Sequence, residues 1–170
     1  GLNQEAVLKA KEEEVSLIIA FDCGTANCQE INFARSLGID VIVIDHHSLK
    51  GEYNPAFALV NPKRKDSNYP FSDLSAGALS FKFLQVLTEK DSLQVLDLVA
   101  LSLICDVAPL RGENRALLKE GLSALKSTQR FAIKALCGVC SIRQENIDVF
   151  HVGYILGPRI NASGRVAHAK

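Results

Sequence analysis

The stretch VSLIIAFDCGTANCQEINFARSLGIDVIVIDHH, residues 15–47, decides the fold class. Two aliphatic runs, "VSLIIAF" and "VIVI", flank a segment of helical character, and an aspartate, Asp22 or Asp45, follows each run. Short runs that stay apolar without alternating read as strands covered on both faces, the condition of a parallel sheet. The segment between them opens at Asn27, a helix-capping residue, and carries Glu30 three positions on, a capping-box variant. Gly38 then stops the helix. Strand, helix and strand make a βαβ unit whose strands run parallel with a right-handed crossover. Asp22 and Asp45 are thereby expected to end neighbouring strands.

Working outward, "LNQEAVLKAKEEE" at 2–14 predicts a helix with Leu2, Ala6, Val7 and Ala10 on one face. "AFALVNP" offers a third strand, and "NPKRKDSNYPFSD" reads as a loop. Helices are expected at 74–89, 91–107, 113–127 and 129–137, the second being the most apolar. "NIDVFHVGYIL" is open between helix and strand, and Gly157-Pro158 predicts a turn into "RINASGR". The fold class is therefore α/β: a parallel sheet with Rossmann-like βαβ units, followed by a mainly helical C-terminal half.

With 48% apolar and 22% charged residues among 170, the chain can bury a core, which excludes disorder. No apolar run approaches the roughly 18 residues of a membrane span, so a cytoplasmic protein without membrane contact is expected. Formal net charge is zero, and polyanion binding would need a local patch or metal ions. Five cysteines, an odd number, favour reduced thiols. "CGVC" lacks the second ligand pair of a zinc site and reads as buried free thiols. The start at Gly1, the absence of methionine and the ending "GRVAHAK" suggest a piece of a longer protein.

Ligands of open parallel sheets sit beyond the carboxyl ends of the strands, where Asp22 and the triplet Asp45-His46-His47 are expected. Mixed carboxylate and imidazole donors suit Mn²⁺ or Fe²⁺ and leave Mg²⁺ and Zn²⁺ possible. Taken alone, the triplet reads sooner as a turn cap with two solvated imidazoles, and Asp22 sooner as a turn former before Gly24. Asp106 ends an apolar helix, where a carboxylate opposes the macrodipole and invites a compensating cation. Arg159, Asn161, Ser163 and Arg165 in "GPRINASGR" offer two guanidinium forks and two small polar groups for phosphate oxygens, or are plain surface residues. "KRK" at 63–65, near Tyr69 and Phe71, is either a nucleic-acid contact or a solvated basic loop.

The pieces "IIAFDCGT", "VIVIDHH", "LVNPKRKDSNYPFSDLSAGALSFK", "LVALSLICDVAPLRGENRALLKEGL" and "GPRINASGRVAHA", in this order, resemble the catalytic DHH domain of the RecJ family, bacterial single-strand-specific exonucleases of the DHH phosphoesterase superfamily. The resemblance runs along almost the whole chain, and "DVAPLRGENR" and "GPRINASGR" are its most specific parts. It implies a metal-binding hydrolase that degrades single-stranded DNA 5′ to 3′ to nucleoside monophosphates in DNA repair and recombination, alongside repair and recombination proteins. Two Mn²⁺ or Mg²⁺ ions would generate the attacking hydroxide and neutralise charge at phosphorus. Asp22, Asp45, His46 and Asp106 would be metal ligands, His47 would orient a ligand or reach the phosphate, and Arg159, Asn161 and Arg165 would hold substrate phosphate.

The chain departs from that pattern in two places. No D-x-D occurs in it, although the family carries such a motif at the end of the first strand, and Cys23 stands where the pattern has asparagine. The expectation is a partial DHH domain over 1–170, without the first strands, the D-x-D motif or the associated C-terminal domains, and inactive by itself. Rival readings are another superfamily phosphoesterase (an oligoribonuclease, cyclic-dinucleotide phosphodiesterase or pyrophosphatase) and a non-catalytic DHH structural module. "GPRINASGR" argues against the first, and the retained acids against the second.

Overall fold

The unbroken aliphatic character of "VIVI" is realised as a central strand. In a computed structural model, which describes residues 1–49, 51 and 54–166 (side chains to 162), the first elements alternate helix and strand. These are α1 (Gln4–Glu12), β1 (Leu17–Phe21), α2 (Cys28–Ser36), β2 (Asp40–Ile44) and β3 (Ala58–Val60). The strands form a parallel sheet in the order β1-β2-β3, with Leu17 opposite Asp40 and Ile42 opposite Ala58. Asp22 and Asp45 lie one residue past β1 and β2, and each extends the ladder by one bond. Asp22 donates its N–H to Ile44 O and Asp45 donates to Val60 O, both at 3.0 Å. His46 and His47 lie outside the strand, in the turn that follows.

The chain divides into two units, Gly1–Ser80 and Phe81–Lys170. In the first, one sheet face, with Ala20, Val41 and Val43, packs on Val7 of α1 and on Ile31 and Ala34 of α2. Burying the valines and Ile31 among them stabilises by about 1.5–3 kcal/mol each. The opposite face is less covered: Leu17, Ile19 and Phe21 of β1 remain 37–43% exposed, whereas Ile44 is fully buried.

The second half is helical as expected: α3 (Ala76–Thr88), α4 (Leu96–Cys105) after a 3₁₀ turn, α5 (Gly112–Ser127), α6 (Phe131–Val139) and α7 (Gly157–Val166). Within the second unit α4 lies against α5, where a Cβ on Gly121 would fall 2.5 Å from Leu96 O. All five cysteines are free thiols, with Cys137 buried. No helix among the described residues is long and apolar enough to cross a membrane.

Two local expectations are corrected. Asn27 is the N-cap residue of α2 but makes no capping bond with its side chain. At φ −92° and ψ 44° it is not extended, and its amide donates instead to Leu2 O (3.1 Å) and Glu30 Oε2 (3.3 Å), tying α2 to the residues before α1.

The second correction concerns Gly157-Pro158, which makes no turn. A π-helical segment, His151–Leu156, runs directly into α7. Proline lacks the N–H of an α turn and crowds the carbonyl four residues back. The wider π turn just before it relieves that conflict. Gly157 is helical, at φ −57° and ψ −49°, and serves close packing: a Cβ there would lie 2.7 Å from Cys105 Sγ.

Candidate metal centre

The turn after β1 is shaped by two positive-φ residues, Asp22 at 59° and Gly24 at 112°. Asp tolerates the left-handed region better than most residues. At Gly24 only glycine fits, because a Cβ would also meet Val43 Cγ2 at 2.7 Å. This close approach of the turn to β2 sets Thr25 against Asp45, whose Oδ2 accepts the Thr25 N–H at 3.0 Å.

Asp45 is 1% exposed, and protein donors crowd its carboxylate. Oδ1 accepts the backbone N–H of His46 (2.8 Å) and of His47 (3.3 Å), and lies 2.6 Å from His47 Nδ1. A carboxylate against Nδ1 assigns the proton to that nitrogen and leaves Nε2 of a neutral His47 ring as the acceptor. Burial alone would raise the Asp45 pKa. The Thr25 and His47 side chains and backbones outweigh it by hydrogen bonding, holding the group well below the usual carboxylate range.

His46 is the more buried imidazole, its side chain 13% exposed, with Nε2 3.3 Å from Asp22 Oδ1. The two rings meet edge to face at 4.7 Å. His47 Nδ1 lies 3.9 Å from the same Asp22 oxygen. One ligand atom from each of Asp22, Asp45, His46 and His47 falls within 4.8 Å of the others. Two carboxylates and two imidazoles in that space are a donor set that fits a divalent transition-type cation.

The remaining expected site residues belong to the second unit and are described on their own. Asp106 is the C-cap residue of α4 and is exposed. Val107 after it has φ 53°, a strained value for a β-branched residue, and Ala108 N–H returns to Leu103 O at 3.1 Å. Arg159 and Asn161 are exposed on α7, and the Arg159 guanidinium donates to Ile155 O at 2.8 Å. In helical geometry position 161 lies about 200° round the axis from 159 and shares a face with position 165. Arg159 and Asn161 therefore do not line one face. The Arg165 side chain lies outside the described residues.

The sequence reading missed two asparagines that hold this centre together. Asn54 Nδ2 donates to Gly24 O (3.1 Å) and Thr25 O (3.0 Å). Asn61, 3% exposed, donates from Nδ2 to Thr25 Oγ1 (3.1 Å) and His47 O (2.9 Å). The available signal was an asparagine directly after a strand and before Pro62, a position that favours side chain to backbone bonding.

The model of the DHH family, N-terminal domain, matches residues 2–103. The single-stranded-DNA-specific exonuclease RecJ of Bacillus subtilis (strain 168) is 37% identical over 99% of this chain, and that of Escherichia coli (strain K12) 35% over 98%. The chain spans only 22% and 32% of those two proteins. Among solved structures, RecJ in complex with Mn²⁺ from Thermus thermophilus matches 96% of the chain with a TM-score of 0.76 at 30% identity. The chain covers 25% of that structure. An exonuclease RecJ bound to manganese matches 97% with a TM-score of 0.77 at 30% identity.

Proposed function

The chain belongs to the DHH family, and on that premise we propose that it supplies part of the active site of a RecJ-type exonuclease. The reaction is metal-dependent hydrolysis of single-stranded DNA, 5′ to 3′, releasing nucleoside monophosphates, in the cytoplasm and in the service of DNA repair and recombination with partner proteins of those processes. The observation that carries this reading is the meeting of Asp22, Asp45, His46 and His47 beyond the carboxyl ends of β1 and β2.

Asp22 and His46 offer facing donors 3.3 Å apart, and Asp45 both offers a carboxylate and fixes the His47 ring. Asp106 is assigned a further ligand position. When bound, Mn²⁺ or Mg²⁺ supplies a water that ionises near neutral pH and shields the phosphate charge. The chain's own part is to hold donors in register, keep Asp45 ionised and present the His47 ring to the substrate. Arg159, Asn161 and Arg165 are assigned to phosphate oxygens, where guanidinium forks pair well. The D-x-D acids of the family pattern are not among residues 1–170, so this chain is assigned part of the ligand set.

The test is a nuclease assay of the full-length protein with Mn²⁺ on single-stranded DNA labelled at either end. Mononucleotides should appear first from the 5′ label, only with metal, and not from the Asp45→Ala variant. Intact DNA alongside hydrolysis of pyrophosphate, cyclic dinucleotides or short oligoribonucleotides would replace this reading with another activity of the superfamily.

A further inference from the structure

The turn that carries His46 and His47 begins where the sheet runs out. The last ladder bond beside it is Asp45 N–H to Val60 O, and β3 is only three residues long. Beyond that bond, a side chain continues the cross-strand connection. Asn61, the first residue past β3, reaches the turns after both other strands: Thr25 Oγ1 after β1 and His47 O after β2. Its Oδ1 is occupied as well, accepting Lys63 N–H at 2.9 Å. The amide thus sits in one fixed orientation, buried, with both ends used.

We propose that Asn61 is a positioning residue that sets the His46-His47 turn, acting in series with Thr25 and Asp45. Asn61 holds Thr25 Oγ1 at 3.1 Å, and the Thr25 N–H bonds the Asp45 carboxylate at 3.0 Å. Asp45 in turn holds the backbone of both histidines and the His47 ring. The same asparagine grips His47 O from the other side, so the turn is fixed at two points by groups from three strand ends. Such outer partners of a ligand set typically carry effects of about 10–100-fold on metal affinity or activity. The role in catalysis rests on the proposed RecJ-type reading; the role in holding the turn does not.

The test uses Asn61→Asp, which keeps the shape but loses the donor, and Thr25→Val against Thr25→Ser, which separates loss of the hydroxyl from loss of the methyl. Amide hydrogen exchange of His46 and His47 is read first, with Val41 and Val43 as core controls. Exchange at both histidines should quicken by about tenfold or more in Asn61→Asp and Thr25→Val, with Thr25→Ser near wild type and the core amides unchanged. Mn²⁺ titration of the full-length protein should show affinity weakened about 10–100-fold in the same two variants and restored in Thr25→Ser. Unchanged exchange at His46 and His47, or an equal change at Val41 and Val43, would overturn the proposal. A wild-type protein that binds no Mn²⁺ and cleaves no DNA would sink the nuclease reading while exchange still decides the role of Asn61.

Discussion

His47 Nδ1 lies 2.6 Å from Asp45 Oδ1, and that same oxygen accepts the backbone N–H groups of both histidines. One buried atom therefore governs both the path of the turn and the orientation of a ring. Replacing the carboxylate by an amide in Asp45→Asn keeps the volume and removes the charge from these bonds. A loss of about 1.5–3 kcal/mol is expected for the charged hydrogen bonds. Urea unfolding at neutral pH measures it.

The pH dependence of that difference has a definite sign. Hydrogen bonding outweighs burial and puts the folded-state pKa of Asp45 below its unfolded value of about 3.9. The stabilisation is therefore fully present above the unfolded value and is lost as pH falls through the folded one. The stability gap between wild type and Asp45→Asn should close as pH falls below about 4. A gap that widens with acid would contradict this account; urea midpoints across pH give the answer.

Gly157→Ala tests the packing of the segment that the proline rule misreads. Alanine favours a helix by about 1 kcal/mol over glycine. Here its Cβ would fall 2.7 Å from Cys105 Sγ and 2.9 Å from Val152 O, so crowding should prevail, with a net loss of about 1–3 kcal/mol. Adding Cys105→Ala removes one of the two obstacles and should recover part of that loss. Thermal unfolding of the single and double variants reads both effects.

Arg130→Ala addresses a buried acid in the second unit. Asp97, 3% exposed in the first turn of α4, accepts from Arg130 Nε (2.8 Å) and Thr128 Oγ1 (2.6 Å). Removing the guanidinium leaves a buried carboxylate with Thr128 and the Leu98 N–H as its partners among the described residues. Because the Arg130 side chain is itself 39% exposed, a loss of about 2 kcal/mol is expected, toward the lower end for a broken buried pair. Chemical denaturation of the variant checks it.

The parts of this fold that follow from local pattern were readable in advance. The runs around residues 17–21 and 41–44 are apolar enough to declare parallel strands, and the acids after them are placed by topology alone. Asn27 and Gly157-Pro158 were misread because each rule assumes a residue acts on its own segment. Asn27 spends its amide on Leu2, and Gly157 answers to Cys105 on another helix. Asn61 was missed for the same reason, since its partners lie 36 and 14 residues away in the chain. Distant polar partners leave no period in a sequence.

The π-helical stretch at 151–156 has a further consequence for comparing related chains. Each π bond closes over one more residue than an α bond, so the segment behaves as a one-residue insertion in an otherwise continuous helix. Everything beyond it is rotated by about 100° relative to an uninterrupted helix. A relative with a plain α-helix here would align without a gap letter by letter, yet present the counterparts of Arg159 and Asn161 in different directions. Correspondence across this segment has to be judged in space, and a single-residue deletion within 151–156 should redirect α7 without shortening it.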